Sequence, residues 1–532
     1  MANRVRTSQL RGHIASPAVT LLAAAASVLT MPPFGWWPLT FVTTGLIMLS
    51  VRGKTIKYSA VLGFATGVVF HAAQTTWLTA YLGPVPWLAL SVLEGALFAV
   101  GMVLTNLVWT LFDTDYDLPP ENRKLQLLLG KPLAVLALSL VWVAREWIEG
   151  HLPYGGFQWS RLGQTQSGSW LANWAYWGGV SGVSLATAIF SATLVLAFQL
   201  QGLSRIAKAT FWIPAAVAVL VPALTFISVA GQGSATIGAV QGNANAGLFA
   251  NPIRGSILQK HITASKLMMK DSRAKALDFV VWPENSSDVD PLSDPFGHQD
   301  VVNTVNNLLK KPLILGAVTW RGNQVFNSTI QFEPNLGAVA IYDKKRPVPF
   351  AEYVPDRPFW YSLAPSLIGL IQRGFDFGTH SGVFHVAGVR AGSLICFEIA
   401  IDDLPHQLVS EGAQVILSQA NNADFGHTAE TFQQEALARL QAIATGRSIV
   451  HVSTVGITEI IRPNGTVSSH LEPFTRGYLI QKVALKSDLT PAMRFYGWVD
   501  DLALATAVLV LVWFLATHRR RTAFLKQIAS LG

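Results

Sequence analysis

Ser393-Leu394-Ile395-Cys396-Phe397-Glu398 is a short apolar run that ends in a thiol and passes directly into a helical pattern over 400–411. Two other runs end in the same manner. Val280-Val281-Trp282-Pro283-Glu284 closes on a carboxylate, and Tyr342-Asp343-Lys344 closes on an amine. Functional groups in α/β sheets gather at the carboxyl ends of strands. The three positions lie far apart in the chain, so only a folded sheet brings them together. Their chemistry is complementary. A thiol is only slightly ionised at neutral pH and needs a base or a nearby cation before it attacks. Glu284 is suited to take the thiol proton and return it to a leaving group. Lys344 is suited to stabilise the oxyanion of a tetrahedral intermediate, a contribution of about 3–4 kcal/mol per donor.

Outward from these runs, residues 232–495 read as one α/β domain. β-rich stretches fall at Thr236–Gln241, Phe279–Trp282, Leu313–Val318, Ala338–Tyr342, Ser393–Cys396, Val415–Ser418 and Ile449–Val455. Helical patterns fall at 254–276, 298–310, 400–411 and 427–447. Strands alternating with helices predict a layered α/β architecture.

The flanking sequence has another character. Of 532 residues, 51% are hydrophobic and 13% charged, whereas soluble domains carry about 25% charged residues. Much of the chain therefore belongs in lipid. Seven apolar segments fill the first 230 residues, at about 14–31, 36–51, 57–78, 85–112, 132–148, 170–198 and 210–230, and an eighth lies at about 501–517. Several approach the roughly 20 residues that cross a bilayer. Met31-Pro32-Pro33-Phe34-Gly35 reads as a tight hairpin between the first two. Arg4, Arg6 and Arg11 ahead of the first segment resemble a signal peptide, but seven later segments favour a retained span.

The net charge of +8 does not point to nucleic acid, because the basic residues gather at segment ends rather than on a folded face. They follow the orientation rule for membrane proteins. Arg4, Arg6 and Arg11, then Arg52, Lys54 and Lys57, then Arg123, Lys124 and Lys131, then Arg205 and Lys208 occupy the terminus and alternate loops, and Arg519, Arg520, Arg521 and Lys526 the tail. Both termini are thus expected in the cytoplasm and 232–495 outside it. The expected domains are 1–231 with seven transmembrane helices, 232–495, and 496–532 with the last helix and a basic tail.

Trp-Pro-Glu, Tyr-x-Lys and Ile-Cys-Phe-Glu in this order resemble the Glu–Lys–Cys triad of the carbon–nitrogen hydrolase (nitrilase) superfamily. The fuller resemblance is to its membrane branch, the apolipoprotein N-acyltransferases. Lys344-Lys345-Arg346-Pro347-Val348-Pro349-Phe350-Ala351-Glu352-Tyr353-Val354-Pro355 is similar to a run of that family, as are Gln241-Gly242-Asn243, Asn421-Asn422-Ala423-Asp424-Phe425-Gly426, Pro33-Phe34-Gly35-Trp36-Trp37-Pro38 and Gly178-Gly179-Val180-Ser181-Gly182. The likeness covers about residues 14 to 517. It implies an α-β-β-α sandwich on a polytopic helical domain of about eight spans. It also implies Cys396 as nucleophile, Glu284 as general base and Lys344 as oxyanion group, with Glu352 and Glu398 as supporting carboxylates. Phe397 stands where the family commonly has Tyr. Leu248-Phe249-Ala250 lacks the family's Trp, and Asp424 replaces an aromatic residue. Both departures fall where the family contacts lipid.

Arg357-Pro358-Phe359-Trp360-Tyr361, followed by Leu363, Leu367, Ile368, Leu370 and Ile371, is an apolar arm in an otherwise polar domain, with aromatics suited to a bilayer interface. Phe359, Trp360 and Tyr361 are its expected lipid contacts. Arg145 and Glu146, near the end of the fifth segment, are read either as a lipid-phosphate site or as an interfacial ion pair. The histidines show no His-Glu-x-x-His or other short ligand spacing, so no metal is expected. The sequons at Asn285, Asn327 and Asn464 are read as chance, since a glycan on Asn285 would obstruct the site.

The resemblance implies transfer of a fatty acyl group from a glycerophospholipid, through a Cys396 thioester, to the α-amino group of a diacylglyceryl-cysteine at the N-terminus of an apolipoprotein. It implies no cofactor, no nucleic acid, a monomer, and residence in a bacterial cytoplasmic membrane. Two rivals stay open. A membrane-tethered amidase would pass the acyl group to water, and a transporter or scaffold would carry a degenerate outer domain.

Overall fold

The computed structural model describes residues 16–113, 120–198, 200, 204–247, 250 and 253–529. Arg4, Arg6, Arg11, Leu248 and Phe249 lie outside the described residues, as do the side chains of Arg123, Lys124, Arg519, Arg520, Arg521 and Lys526. The chain forms two compact units, 1–225 with 497–532, and 226–496.

The first unit is helical. Its helices of seven residues or more are α1 (Pro17–Ala26), α2 (Leu39–Ser50), α3 (Ile56–Gln74), α4 (Pro84–Asp113), α5 (Pro120–His151), α6 (Ala175–Ala197), α7 (Arg205–Phe211) and α8 (Ile213–Leu224), and it closes with the helix Trp498–Ala529. Among the described residues, α3, α4, Trp170–Ala197 and Trp498–Thr517 are each long and apolar enough to cross a membrane. The pair α7–α8, bent by 42°, makes a fifth candidate. The expected eight crossings are not matched one for one. Helix α2 has 12 residues, which reaches about 18 Å at 1.5 Å per residue, against a hydrocarbon core of about 30 Å. Helix α1, with 10 residues, is shorter still. Helices α3 and α4 approach backbone to backbone. A Cβ on Gly67 would sit 2.8 Å from Gly95 Cα, and one on Gly95 would sit 2.9 Å from Val68 N. Small residues permit such packing where lipid supplies no hydrophobic drive.

The second unit contains β1 (Gly233–Gln241), α9 (Ser256–Met268), β2 (Phe279–Val281), α10 (Pro295–Asn303), β3 (Leu313–Arg321), β4 (Gln324–Glu333), β5 (Gly337–Asp343), α11 (Arg357–Leu363), β6 (Val383–Val386) and β7 (Val389–Ile395). Then come α12 (Asp403–Ser410), β8 (Val415–Ala420), α13 (Glu430–Thr445), β9 (Ser448–Ser453), β10 (Thr458–Ile461), β11 (Val467–Leu471) and β12 (Gly477–Leu485). They make two six-stranded sheets, ordered β12-β1-β2-β3-β4-β5 and β11-β10-β9-β8-β7-β6. In each sheet three central strands run parallel, β1–β3 in one and β7–β9 in the other, and the outer strands are antiparallel.

Apolar side chains of both sheets share one core, including Ile237, Val281 and Ile314 from the first and Val415, Leu417 and Val450 from the second. The outer face of the first sheet is covered by Leu258, Ile262 and Val301 of α9 and α10. That of the second is covered by Leu404, Leu408, Ala438 and Ala442 of α12 and α13. The arrangement is an α-β-β-α sandwich. Helix α10 starts where the sequence dictates, with the Asp294 side chain accepting from Gly297 N and Pro295 in the first turn.

Every expected strand has a counterpart, but β4, β6, β10, β11 and β12 were not anticipated. Strand β4 is instructive. Asn327, Ser328, Thr329 and Gln331 are all buried, so polar residues occupy both faces and the alternation that marks a half-buried strand is lost.

Candidate active site

Glu284 follows β2 by three residues, Lys344 directly follows β5, and Cys396 directly follows β7. The carboxylate and the ammonium thus rise from the first sheet and the thiol from the second. Glu284 can turn inward because Gly316 on β3 has no side chain. A Cβ there would lie 2.7 Å from Glu284 Cα and 2.6 Å from Pro283 O. Cys396 opens a tight turn with φ of +54°, a left-handed conformation costly for a residue with a Cβ and typical of residues held for function.

The three groups meet. Lys344 Nζ lies 2.9 Å from each Glu352 oxygen and 3.6 Å from Glu284 Oε1. The Cys396 thiol lies within reach of the charges of both Glu284 and Lys344. Asn327 on β4 donates from Nδ2 to Glu284 Oε1 at 2.7 Å and to Glu352 Oε1 at 3.2 Å. Val348 N donates to Glu352 Oε2 at 2.7 Å. Gln434 of α13 points Nε2 at Cys396 Sγ, 3.6 Å away, and is itself held by Asn422, which also donates to Glu430 at 2.7 Å.

Burial and charge set the protonation states. Burial pushes the Glu284 carboxyl up, Lys344 draws it back, and Glu352 raises it again, with a result of about 7. Burial also lifts the Cys396 thiol well above its usual range, and the Glu284 charge adds to this against the pull of Lys344. The sulfur is thus protonated at neutral pH, next to a carboxyl poised to accept its proton. For Lys344, burial alone would lower the value, but Glu352 and then Glu284 outweigh it and keep the ammonium charged. Glu430 is raised by burial to about 8 despite its bond from Asn422.

Glu398 has a different place from Glu352. It is fully buried and accepts from Tyr342 OH at 3.0 and 2.9 Å, Lys345 N at 2.7 Å, Arg346 N at 3.1 Å and Ile395 N at 2.9 Å. One carboxylate therefore fastens the backbone beyond Lys344 to the backbone before Cys396. Phe397 packs against the apolar cluster beneath α12. Below the site, Gln419 of β8 donates to Trp282 O at 2.7 Å and accepts from Thr329 and Ser393 at 3.0 Å each. This buried polar bridge ties the two sheets together.

The arm forms α11, with Phe359 and Tyr361 about half exposed, as are Leu363 and Leu370. Trp360 packs edge-on against Phe350 and Phe359, with centroids 5.2 and 5.0 Å away. Asn421 donates to Ala246 O at 2.7 Å and to Asn285 Oδ1 at 3.2 Å, so its loop borders the site, and Asp424 on that loop faces Gly247. Arg145 and Glu146 are buried within the helical unit at 1% and 4% exposure, so neither reaches a lipid headgroup. Sequence reasoning missed Asn327, met only as a sequon, and also Glu430 and Gln434 on α13. The one signal for the latter pair was a carboxylate and an amide at helical spacing after the Asn421 loop.

An α-β-β-α sandwich with a carboxylate, an ammonium and a thiol at strand ends is the framework of a carbon–nitrogen-hydrolase-type enzyme. Residues 236–488 match the carbon-nitrogen hydrolase family. Residues 23–193 match the apolipoprotein N-acyltransferase N-terminal domain. The apolipoprotein N-acyltransferase of Mycolicibacterium smegmatis is 32% identical, with 91% of this chain and 82% of the relative covered. That of Azotobacter vinelandii is 27% identical over 95% of this chain and 96% of the relative. A solved amidase from Nesterenkonia sp. is 14% identical, covering 49% of this chain and 95% of that chain, with a TM-score of 0.35. The chain belongs to the apolipoprotein N-acyltransferase family. It is a bacterial membrane acyltransferase of the carbon–nitrogen hydrolase superfamily.

Proposed function

We propose that Cys396 is the acyl-carrying nucleophile, Glu284 its general base and Lys344 its oxyanion donor. The donor is a membrane glycerophospholipid, and the acceptor is the free α-amino group of a diacylglyceryl-cysteine at an apolipoprotein N-terminus. The observation that supports the reading is the delivery of Glu284, Lys344 and Cys396 from three strand ends, with Lys344 Nζ 3.6 Å from Glu284 Oε1 and held by Glu352 at 2.9 Å.

In the first half-reaction Glu284 takes the thiol proton as sulfur attacks the ester carbonyl carbon. Lys344 Nζ stabilises the oxyanion. The carbon–oxygen bond breaks, Glu284 returns the proton to the departing alkoxide, and a lysophospholipid leaves. In the second half the acceptor amine attacks the thioester carbonyl and gives up a proton to Glu284. The carbon–sulfur bond breaks, the sulfur regains its proton, and an amide is released. Glu352 keeps Lys344 aimed through its two 2.9 Å contacts.

The arm supports a lipid substrate. Its half-exposed Phe359 and Tyr361 sit on a short helix carrying further apolar residues, which suits insertion into the outer leaflet and guidance of acyl chains. Removing these aromatics should impair lipid turnover far more than attack on a small soluble ester, and equal losses would count against the assignment. We also propose that all eight apolar segments enter the membrane, the short α1 and α2 as a pair joined by the turn at 31–35, with domains 1–231, 232–495 and 496–532 and both termini cytoplasmic. The periodic placement of Lys and Arg supports it.

The deciding experiment incubates the purified protein with acyl-labelled phospholipid. A hydroxylamine-sensitive adduct should form on Cys396 and be absent in Cys396→Ser. An adduct that survives this substitution would overturn the assignment.

A further inference from the structure

Three helices of the first unit converge on a polar cluster that the acyl-transfer reading does not use. His71 comes from the last turn of α3, Glu94 from α4, and Glu149 from the last turn of α5. One ligand atom from each lies within 4.8 Å of the other two, and all three residues are buried. His71 Nε2 is 3.8 Å from Glu149 Oε2. Among the described residues, neither ring nitrogen of His71 nor Glu94 Oε2 has a hydrogen-bond partner, although His71 is 3% and Glu94 2% exposed. Leaving such groups buried and unpartnered costs about 1–3 kcal/mol each. The arrangement therefore calls for something that binds imidazole nitrogen and carboxylate oxygen together.

The neighbouring charges define what that is. Arg145 Nη1 donates to both Glu149 oxygens at 2.9 Å, and its Nη2 lies 3.4 Å from Glu146 Oε1. Glu146 also accepts from Trp142 Nε1 at 3.0 Å and Leu162 N at 2.9 Å. The guanidinium is held over the rings of Phe98 and Trp142, 4.4 Å from each centroid. Glu146 and Glu149 thus share the Arg145 guanidinium, and Glu94 lies beside Glu149. With Glu94, Glu146, Glu149 and Arg145 all ionised, these four residues carry two surplus negative charges, a costly state for buried groups. A divalent cation offsets them.

We propose that His71, Glu94 and Glu149 bind a divalent transition metal of the zinc class. One imidazole with two carboxylates suits such ions, whereas magnesium and calcium favour all-oxygen shells. Bonds of about 2.1 Å require ligand atoms about 3.4 Å apart in tetrahedral geometry, and His71 Nε2 and Glu149 Oε2 already stand 3.8 Å apart. Arg145 becomes the outer partner that orients Glu149, whose oxygens each keep a second lone pair for the ion. The ion would pin α3, α4 and α5 at one point, so its role is structural. The three ligands are too far apart in sequence to form a recognisable motif, which is why the expectation of no metal arose.

The test uses the full-length protein without a histidine tag, purified in detergent, stripped with a chelator and reloaded with Zn²⁺. Elemental analysis should find one equivalent, lost in His71→Ala and Glu94→Gln and retained in Cys396→Ser. Glu94→Gln preserves size, and thioester formation on Cys396 reports whether the variant is folded. Zn²⁺ should raise the melting temperature of the wild type and leave that of Glu94→Gln unchanged. Absence of stoichiometric metal in the wild type would overturn the proposal, and that is also the outcome if the cluster is neutralised by protons alone. Full retention in both ligand variants, loss in Cys396→Ser, or a wild-type melting temperature indifferent to Zn²⁺ would overturn it equally.

Discussion

Replacing Asn327 by leucine, a side chain of nearly the same size, removes one donor from the carboxylates at the centre of the site. Asn327 gives its 2.7 Å hydrogen bond to Glu284 and a weaker one to Glu352. A hydrogen bond to a charged group is worth about 1.5–3 kcal/mol, and each 1.36 kcal/mol changes a pKa by one. Loss of the donor favours the neutral acid, so the Glu284 value moves up from about 7 to about 8–9. At pH 7 the ionised fraction then falls from about one half to about 1–9%, and thioester formation slows about 5- to 50-fold. At pH 9.5 the deficit shrinks to less than about twofold. The assay is single-turnover acylation of Cys396 from labelled phospholipid, measured across pH 5.5–9.5 in wild type and Asn327→Leu. In the wild type the rate should rise with pH up to about 7 and then level, because the base must be unprotonated. A deficit of equal size at all pH values would refute the reasoning, since it would mean that Asn327 acts through packing.

Other outcomes follow from neighbouring groups. Glu284→Gln should slow thioester formation about 10²–10⁴-fold and abolish the rise with pH, as read in the same assay. Lys344→Met should lose about 10²–10³-fold in rate and also melt earlier, because Glu284 and Glu352 are left buried without their cation; an unchanged melting temperature would contradict the ion-pair geometry. Glu398→Ala strands the Ile395, Lys345 and Arg346 amides and should cost about 3 kcal/mol or more, visible in thermal melts of the detergent-solubilised protein. Glu430 is raised in the folded protein to about 8, so the fold binds its proton more tightly than the unfolded chain. Its contribution to stability is full below the ordinary glutamate pKa near 4.5 and is lost as pH rises towards 8. Glu430→Gln should therefore be stabilising at pH 9, by up to about 4–5 kcal/mol, and nearly neutral at pH 4. Equal effects at both pH values would refute the burial argument.

The parts of the site that the sequence made legible are those whose chemistry coincides with a strand end. Glu284, Lys344 and Cys396 each terminate an apolar run, so position and reactivity point the same way. Glu352 was reachable through its flanking Val348-Pro349-Phe350. Asn327 was not, because it sits in mid-strand among buried polar neighbours that satisfy one another across the sheets, and no local pattern encodes such long-range pairing. The edge strand β12 was missed for a related reason: it pairs antiparallel with β1 from the far end of the domain. In the helical unit, hydropathy located the apolar segments but not their lengths. A run such as 36–51 reads as a span although its helix is only 12 residues long. Polar groups such as His71, Glu94 and Glu149 are too widely spaced to be seen as a group.

Because Glu284 and Lys344 stand on one sheet and Cys396 on the other, the separation between the proposed proton acceptor and the proposed nucleophile is a dimension of the hydrophobic interior itself. An extra methylene on Val281, Ile314 or Leu417 would act like a shim, prying the reactants apart long before it threatened the fold. Residues that touch no substrate are therefore gauged by reaction distance, and drift in their size should register first as slow chemistry in a protein that is still well folded.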